Sequence, residues 1–143
     1  TLFLPDRIFT HFEREEAVET LRGKLEDELF RMREILQQAT STSIVIMNES
    51  FSSTTLEDSL ALGAAVLRQI IERGILCVFV TFADELALLG DAVVSMVGTV
   101  VSDNPAERTF RFVRKPPEGR AYAAALAEKY GLTYEALQRR MAQ

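Results

Sequence analysis

An α/β fold, with a largely parallel sheet, an antiparallel edge and flanking helices, follows from three neighbouring segments. Ser43-Ile44-Val45-Ile46-Met47 is a short apolar run without alternation, the pattern of a strand buried on both faces of a parallel sheet. Leu56 to about Arg73 has helical spacing, with Leu60, Ala64, Leu67 and Ile71 on one face, and Gly74 is placed to end it. Ile75–Thr81 is a second apolar strand, closed by the polar Asp84 and Glu85. Strand, helix and strand within roughly 40 residues form a βαβ unit, whose crossover is right-handed.

The remaining elements follow in order. Thr1–Phe12 is short and mixed, with a strand expected around Ile8–Phe9. Glu13 to Ala39 is expected to be helical. Val18, Leu21, Leu25, Leu29, Met32 and Leu36 form one apolar stripe along it. Glu13, Glu15 and Glu16 stand in its first turn, where the helix dipole favours carboxylates, and Asp27 and Arg31 form an i,i+4 pair. Gly23 is either tolerated within this helix, at about 1 kcal/mol relative to alanine, or marks a break or close backbone approach. Thr40–Ser43 is a polar break, and Phe51–Thr55 a Ser/Thr-rich turn. Glu85–Leu89 reads as a short helical turn. Val93–Val101 and Arg108–Val113 read as two strands around Asp103-Asn104-Pro105, in a hairpin or as neighbouring edge strands. Pro116-Pro117-Glu118-Gly119 is a loop. Arg120–Tyr130 is a helix stopped by Gly131, and Thr133 caps a last helix from Tyr134 to about Met141.

The 143 residues suit one domain, and no linker, internal repeat or low-complexity segment divides them. Apolar residues at 48% and charged residues at 26% give a globular balance. Sixteen Lys and Arg against 21 Asp and Glu leave a net charge of -5, which disfavours a strongly basic nucleic-acid module. Arg139-Arg140 and Arg111-Arg114-Lys115 are accordingly read as solvated faces. The single cysteine, Cys77, excludes an internal disulfide and is expected in the core. The single histidine, His11, excludes a His-rich metal site and argues against a Ser/His/Asp triad; a surface or capping role is expected for it. No apolar run reaches the roughly 18–20 residues of a membrane span, and no signal peptide is visible. A cytoplasmic protein is expected. The chain opens at Thr1 on residues that read as the middle of something longer, so a piece of a larger protein is expected.

In open α/β sheets, ligands bind beyond the carboxyl ends of the strands. Asn48-Glu49 ends the first strand, while Thr81 and then Asp84-Glu85 end the second. If the strands are neighbours, these groups share one rim. A carboxylate in such a place can orient water or hold Mg²⁺ in nucleotide-hydrolysing proteins. The plain alternative is a solvated strand-end glutamate. None of the seven glycines lies in a G-x-x-x-x-G-K string followed by Ser or Thr, so the chain alone is not expected to cradle a triphosphate.

These residues also carry a resemblance. Ile8-Phe9-Thr10, Ile35-Leu36-Gln37-Gln38-Ala39-Thr40 and Ile44-Val45-Ile46-Met47-Asn48-Glu49 resemble, in order, the I-F-T-R, I-L-x-x-A-T and Walker B L-V-L-L-D-E segments of the MutS family of DNA mismatch-repair ATPases. Ser53-Thr54-Thr55 with Asp58 through Leu62 resembles that family's G-T-S-T-x-D-G-L-x-L, without a gap. Val78-Phe79-Val80-Thr81-Phe82 with Glu85-Leu86 resembles its F-A-T-H-x-x-E-L, and Tyr122 to Met141 is similar to its tail. The resemblance covers most of the chain. It implies the carboxy-terminal half of an ABC-type ATPase domain with a phosphate-loop NTPase fold, the phosphate loop itself lying upstream.

The resemblance also implies roles. Glu49 matches the acid that polarises the attacking water, and Asn48 an aspartate that holds Mg²⁺ through water. Ser53, Thr54 and Thr55 match the D-loop that crosses a dimer interface. Gly23, within Thr20-Leu21-Arg22-Gly23-Lys24-Leu25, matches the serine of the signature segment S-G-R-S-T-F, which faces the γ-phosphate bound by a partner subunit. Phe82, next to Thr81, matches the histidine that contacts the γ-phosphate. Three of these are departures: Asn48 is neutral, Phe82 cannot hydrogen-bond a phosphate, and Gly23 has no hydroxyl. The implied intact protein binds ATP and Mg²⁺, reaches DNA through upstream domains and does not enter a membrane. The competing expectation is a degenerate, non-hydrolysing dimerisation or scaffold module. Strands left uncovered without the upstream half lead to an expectation of self-association.

Overall fold

Three short strands, β1 (Ile8–Phe12), β2 (Ile44–Asn48) and β3 (Leu76–Val80), form a parallel sheet in the order β1-β2-β3. Their register places Ile8, Ile44 and Leu76 at one end and Phe12, Asn48 and Val80 at the other. The structure, a computed structural model, describes residues 3–13, 23–117 and 123–141. It divides into two compact units, Thr1–Ala92 and Val93–Gln143, each with its own sheet.

In the first unit, helix α1 (Lys24–Gln38) joins β1 to β2, and helix α2 (Leu56–Glu72) joins β2 to β3. Gly23 is the N-cap of α1, in extended conformation, so the helix starts where a break was one of the two expectations. Val18 and Leu21 of the expected stripe lie outside the described residues. Of the expected stripe, Met32 is buried and Leu25 and Leu36 pack against the core, while Leu29 is exposed; Glu28 and Ile35 join Met32 on the buried face. Leu29 and Leu36 also line a groove of about 530 Å³ between the two helices, opposite Leu62, Ala65 and Val66. Thr55 caps α2, its hydroxyl accepting from the Asp58 N–H at 3.2 Å, as expected of a β-hydroxyl residue at a helix start. Gly74 follows α2 with φ 65°, a left-handed position that glycine takes without a Cβ clash.

The core explains the sheet's asymmetry. Met32 and Ile35 of α1, Val66 and Ile70 of α2, and Val45 and Met47 of β2 form one buried cluster with Phe51. Both helices therefore pack on the same face of the sheet. This is what right-handed crossovers give when strands are added in one direction. The other face carries exposed Ile8, Phe12, Leu76, Val78 and Val80, with Ile44 and Ile46 half-buried. The expectation that both strands of the βαβ unit are buried on two faces is thereby corrected: β2 is buried on one. A turn of 3-10 helix, Asp84–Leu88, packs against α2 through Leu86, whose methyl lies 3.1 Å from where a Cβ on Gly63 would stand.

The second unit holds an antiparallel pair, β4 (Met96–Val101) and β5 (Asn104–Arg114), then α3 (Ala123–Lys129) and α4 (Tyr134–Met141). The expected antiparallel edge is thus a separate two-stranded sheet rather than an edge of the parallel one. Asn104 pairs with Val101 and already belongs to β5, as does Pro105, so the turn is shorter than expected. Gly131 has φ 68°, as a helix stop requires, while Gly119, Arg120 and Tyr122 lie outside the described residues. Among the described residues no helix is long and apolar enough to cross a membrane.

Candidate nucleotide site at the strand ends

β2 and β3 run side by side and parallel, so their carboxyl ends meet at one rim. The Glu49 N–H donates to the Val80 carbonyl at 2.9 Å, which extends the ladder one residue past Asn48 and places Glu49 beside Thr81. Asn48, Glu49 and Thr81 are all half-buried there. The Thr81 hydroxyl accepts from the Ala83 N–H at 3.1 Å, closing the turn that follows β3. Phe82, at 88% exposure, stands out into solvent at the same end of β3.

The turn after β2 is held against its own preference. Glu49 has φ 49° and Phe51 φ 65°, both in the left-handed region that non-glycine residues enter at roughly 1–3 kcal/mol each. The Phe51 side chain is fully buried in the core and anchors the turn. Burial, and secondarily the Glu13 carboxylate, push the Glu49 carboxyl above the usual range for glutamate. A carboxylate so shifted is a better proton acceptor, which suits a group that orients and polarises water.

Of the other sequence-predicted residues, Ser53, Thr54 and Thr55 follow this turn, and each hydroxyl has a partner within the unit. Ser53 donates to the Glu28 carboxylate at 3.1 Å, Thr54 donates to Asp58 at 3.1 Å, and Thr55 caps α2. Gly23 opens α1; its φ of -64° is ordinary, and among the described residues nothing lies within 4 Å of where a Cβ would stand. Cys77 faces the core from β3, and burial pushes its thiol up to about 11, which leaves it unreactive near neutral pH. Arg111, Arg114, Arg139 and Arg140 are exposed, as solvated faces are.

His11 overturns its expectation. It is 1% exposed rather than on the surface, with Nδ1 2.7 Å from the Ser50 hydroxyl and Nε2 3.0 Å from the Glu28 carbonyl. Its position on β1 next to Met47 turns the ring into the core, where the Phe51 ring lies 5.7 Å away. Glu28, 2% exposed, is the second surprise. Burial raises its carboxyl above the usual range, against the opposing pull of Ser53, Lys24 and Arg31. One signal was available: Glu28, Met32, Ile35 and Ala39 are spaced 4, 3 and 4, and Glu28 shares their buried face.

Among the described residues no group of three or more His, Cys, Asp or Glu converges on a point where a metal could sit. The rim nevertheless offers the oxygens of Asn48 and Glu49. A Mg²⁺ held mostly by phosphates and water needs only one or two such protein ligands, so these residues fit it.

Comparison with known proteins identifies the family of the chain. The family model described as MutS domain V matches residues 1–140. The chain is 31% identical over 137 residues to "Endonuclease MutS2" of Thermus thermophilus, covering 94% of this chain and 18% of that protein. It is 27% identical over 136 residues to "Endonuclease MutS2" of Gemmatimonas aurantiaca, covering 94% and 16%. It is 29% identical over 136 residues to "DNA mismatch repair protein MutS" of Shouchella clausii, covering 92% and 16%. The chain thus spans less than a fifth of these relatives' length. A domain-V match over nearly the whole chain places this protein in the MutS family.

Proposed function

We propose that this chain is the carboxy-terminal half of an ABC-type ATPase domain of a MutS-related protein, supplying the Walker B, D-loop and H-loop side of an ATP site. The observation that carries the reading is the rim itself. A strained turn sets Glu49 at the carboxyl end of the central parallel strand, beside Thr81 and with its carboxyl raised. That is the place and the chemistry of a water-orienting acid. Bound Mg²⁺·ATP supplies the phosphoryl group and the charge neutralisation. Glu49 would orient water, Asn48 would help hold the ion with its neutral amide oxygen, and Thr81 would line the rim.

The phosphate cradle is proposed to lie in other sequence of the intact protein, and contact with DNA to belong there also, as the name of the MutS relative suggests. The second reading, a degenerate module that dimerises without hydrolysis, is favoured by Asn48 and by the outward Phe82, which cannot bond a phosphate. Titration calorimetry separates the two. The full-length protein is expected to bind Mg²⁺·ATP, more tightly as Asn48→Asp, while residues 1–143 alone show no micromolar binding. Full-length protein that ignores ATP with and without Asn48→Asp would leave the scaffold reading standing.

A further inference from the structure

We propose that His11, Ser50 and Glu28 form a buried positioning relay that fixes the Glu49 turn against β1 and α1; the inference rests on the ATPase reading of Glu49. Glu49 and Phe51 are both left-handed, so the turn needs outside restraint on the residue between them. Ser50 provides it. Its hydroxyl lies 2.7 Å from His11 Nδ1 and 3.3 Å from the His11 carbonyl, which ties the turn to β1. His11 Nε2 lies 3.0 Å from the Glu28 carbonyl, an acceptor only, so Nε2 carries a proton. In the neutral ring Nδ1 is then the acceptor, and the one Ser50 proton goes chiefly to it at 2.7 Å, with the His11 carbonyl a weaker second acceptor at 3.3 Å. The Glu28 carboxylate in turn accepts from Ser53, three residues past Ser50, which closes a circuit through β1, α1 and the loop.

The arrangement pairs a serine with a histidine, but it is not a nucleophile and base. Ser50 is 6% exposed and His11 1%, and neither lines the groove between the helices. Burial gives the relay its stiffness instead. Buried contacts of this kind are costly to lose, so removing the Ser50 hydroxyl releases the turn from β1. A shift of about 1 Å in a catalytic group costs on the order of 100-fold in rate. Through this circuit, movement of α1 reaches Glu49.

The test uses the full-length protein. Ser50→Ala is expected to lower single-turnover ATP hydrolysis on the order of 10–100-fold, measured well below its melting temperature, with ATP affinity essentially kept. Ser50→Thr, which keeps the hydroxyl, is expected to restore most of the rate. Glu49→Gln is the control. If Glu49→Gln or wild type shows that Glu49 has no part in turnover, the ATPase reading and this inference fall together. If Glu49→Gln loses turnover while Ser50→Ala keeps it, this inference alone falls, and the Ser50–His11 contact is only structural. Should Ser50→Ala not fold, the imidazole ¹⁵N shifts of wild type decide. A protonated Nε2 with an accepting Nδ1 is expected, and the opposite tautomer overturns the relay.

Discussion

Glu49 sits where backbone preference and chemistry pull apart. Its left-handed φ of 49° would suit glycine, yet the site reading needs a carboxylate. Glu49→Gly is therefore expected to stabilise the fold, by about 1 kcal/mol or less in urea denaturation, while removing the hydrolytic group. A destabilised variant would show that the turn is not strained. Glu28 shows a second tension, between a buried carboxylate and its solvation. Its carboxyl is raised, so between the unfolded value near 4.5 and the folded value the native state binds more protons than the unfolded one. Its contribution to stability is full below 4.5 and is lost as pH rises through the folded pKa. Glu28→Gln, which keeps an acceptor for Ser53, is expected to flatten this dependence and to be relatively more stable at pH 7 than at pH 4.5. Parallel pH profiles of thermal unfolding for the two proteins would refute it. Asp6 acts oppositely: hydrogen bonds from Thr40 and Ser43 lower its carboxyl below 3.8, so its contribution fades only in stronger acid.

Among the elements, α2 was the most readable in sequence and α1 the least. In α2, apolar spacing from Leu56, the Ser/Thr cluster before it and Gly74 after it all agree, and the helix runs Leu56–Glu72 with Thr55 as its cap. Thr55→Ala is expected to cost about 0.5–2 kcal/mol, read as a lower midpoint in chemical denaturation. No change would mean that Asp58 alone holds the helix start. In α1 the apolar stripe found Met32, Leu25 and Leu36 on the core side, but it included the exposed Leu29 and omitted Glu28 and Ile35. Leu29 and Leu36 line the interhelical groove, while the Glu28 carboxylate is inside, where the Ser53 hydroxyl donates to it. The 4, 3, 4 spacing of Glu28 with Met32, Ile35 and Ala39 put it on that face, but a charged residue there reads as solvated until a partner such as Ser53 is seen. The strands were legible as apolar runs, but a single sequence holds no record of which sheet face a helix covers. The relay was hidden for the same reason: His11 and Ser50 are 39 residues apart, and only the β1–β2 pairing brings them together. The Glu49 rim was readable, because strand ends are where open sheets place their chemistry.

At the scale of the whole molecule, α1 and α2 cover one face of the first unit's parallel sheet. Parallel sheets are almost always covered on both, and among the described residues Ile8, Phe12, Leu76, Val78 and Val80 stand exposed on the other face. Residues 1–143 on their own are therefore expected to self-associate, and light scattering at high concentration should give a mass above 16.0 kDa. A strict monomer would show that this face is tolerated in water. In the full-length protein the central claim is that Glu49 is the water-orienting acid of an ATP site. Single-turnover hydrolysis of ATP by wild type and Glu49→Gln, with nucleotide affinity measured alongside, tests it most directly. The expected result is a loss on the order of 100-fold or more in rate with affinity nearly intact. A Glu49→Gln protein that hydrolyses ATP at the wild-type rate would reduce Glu49 to a strand-end residue and contradict the claim.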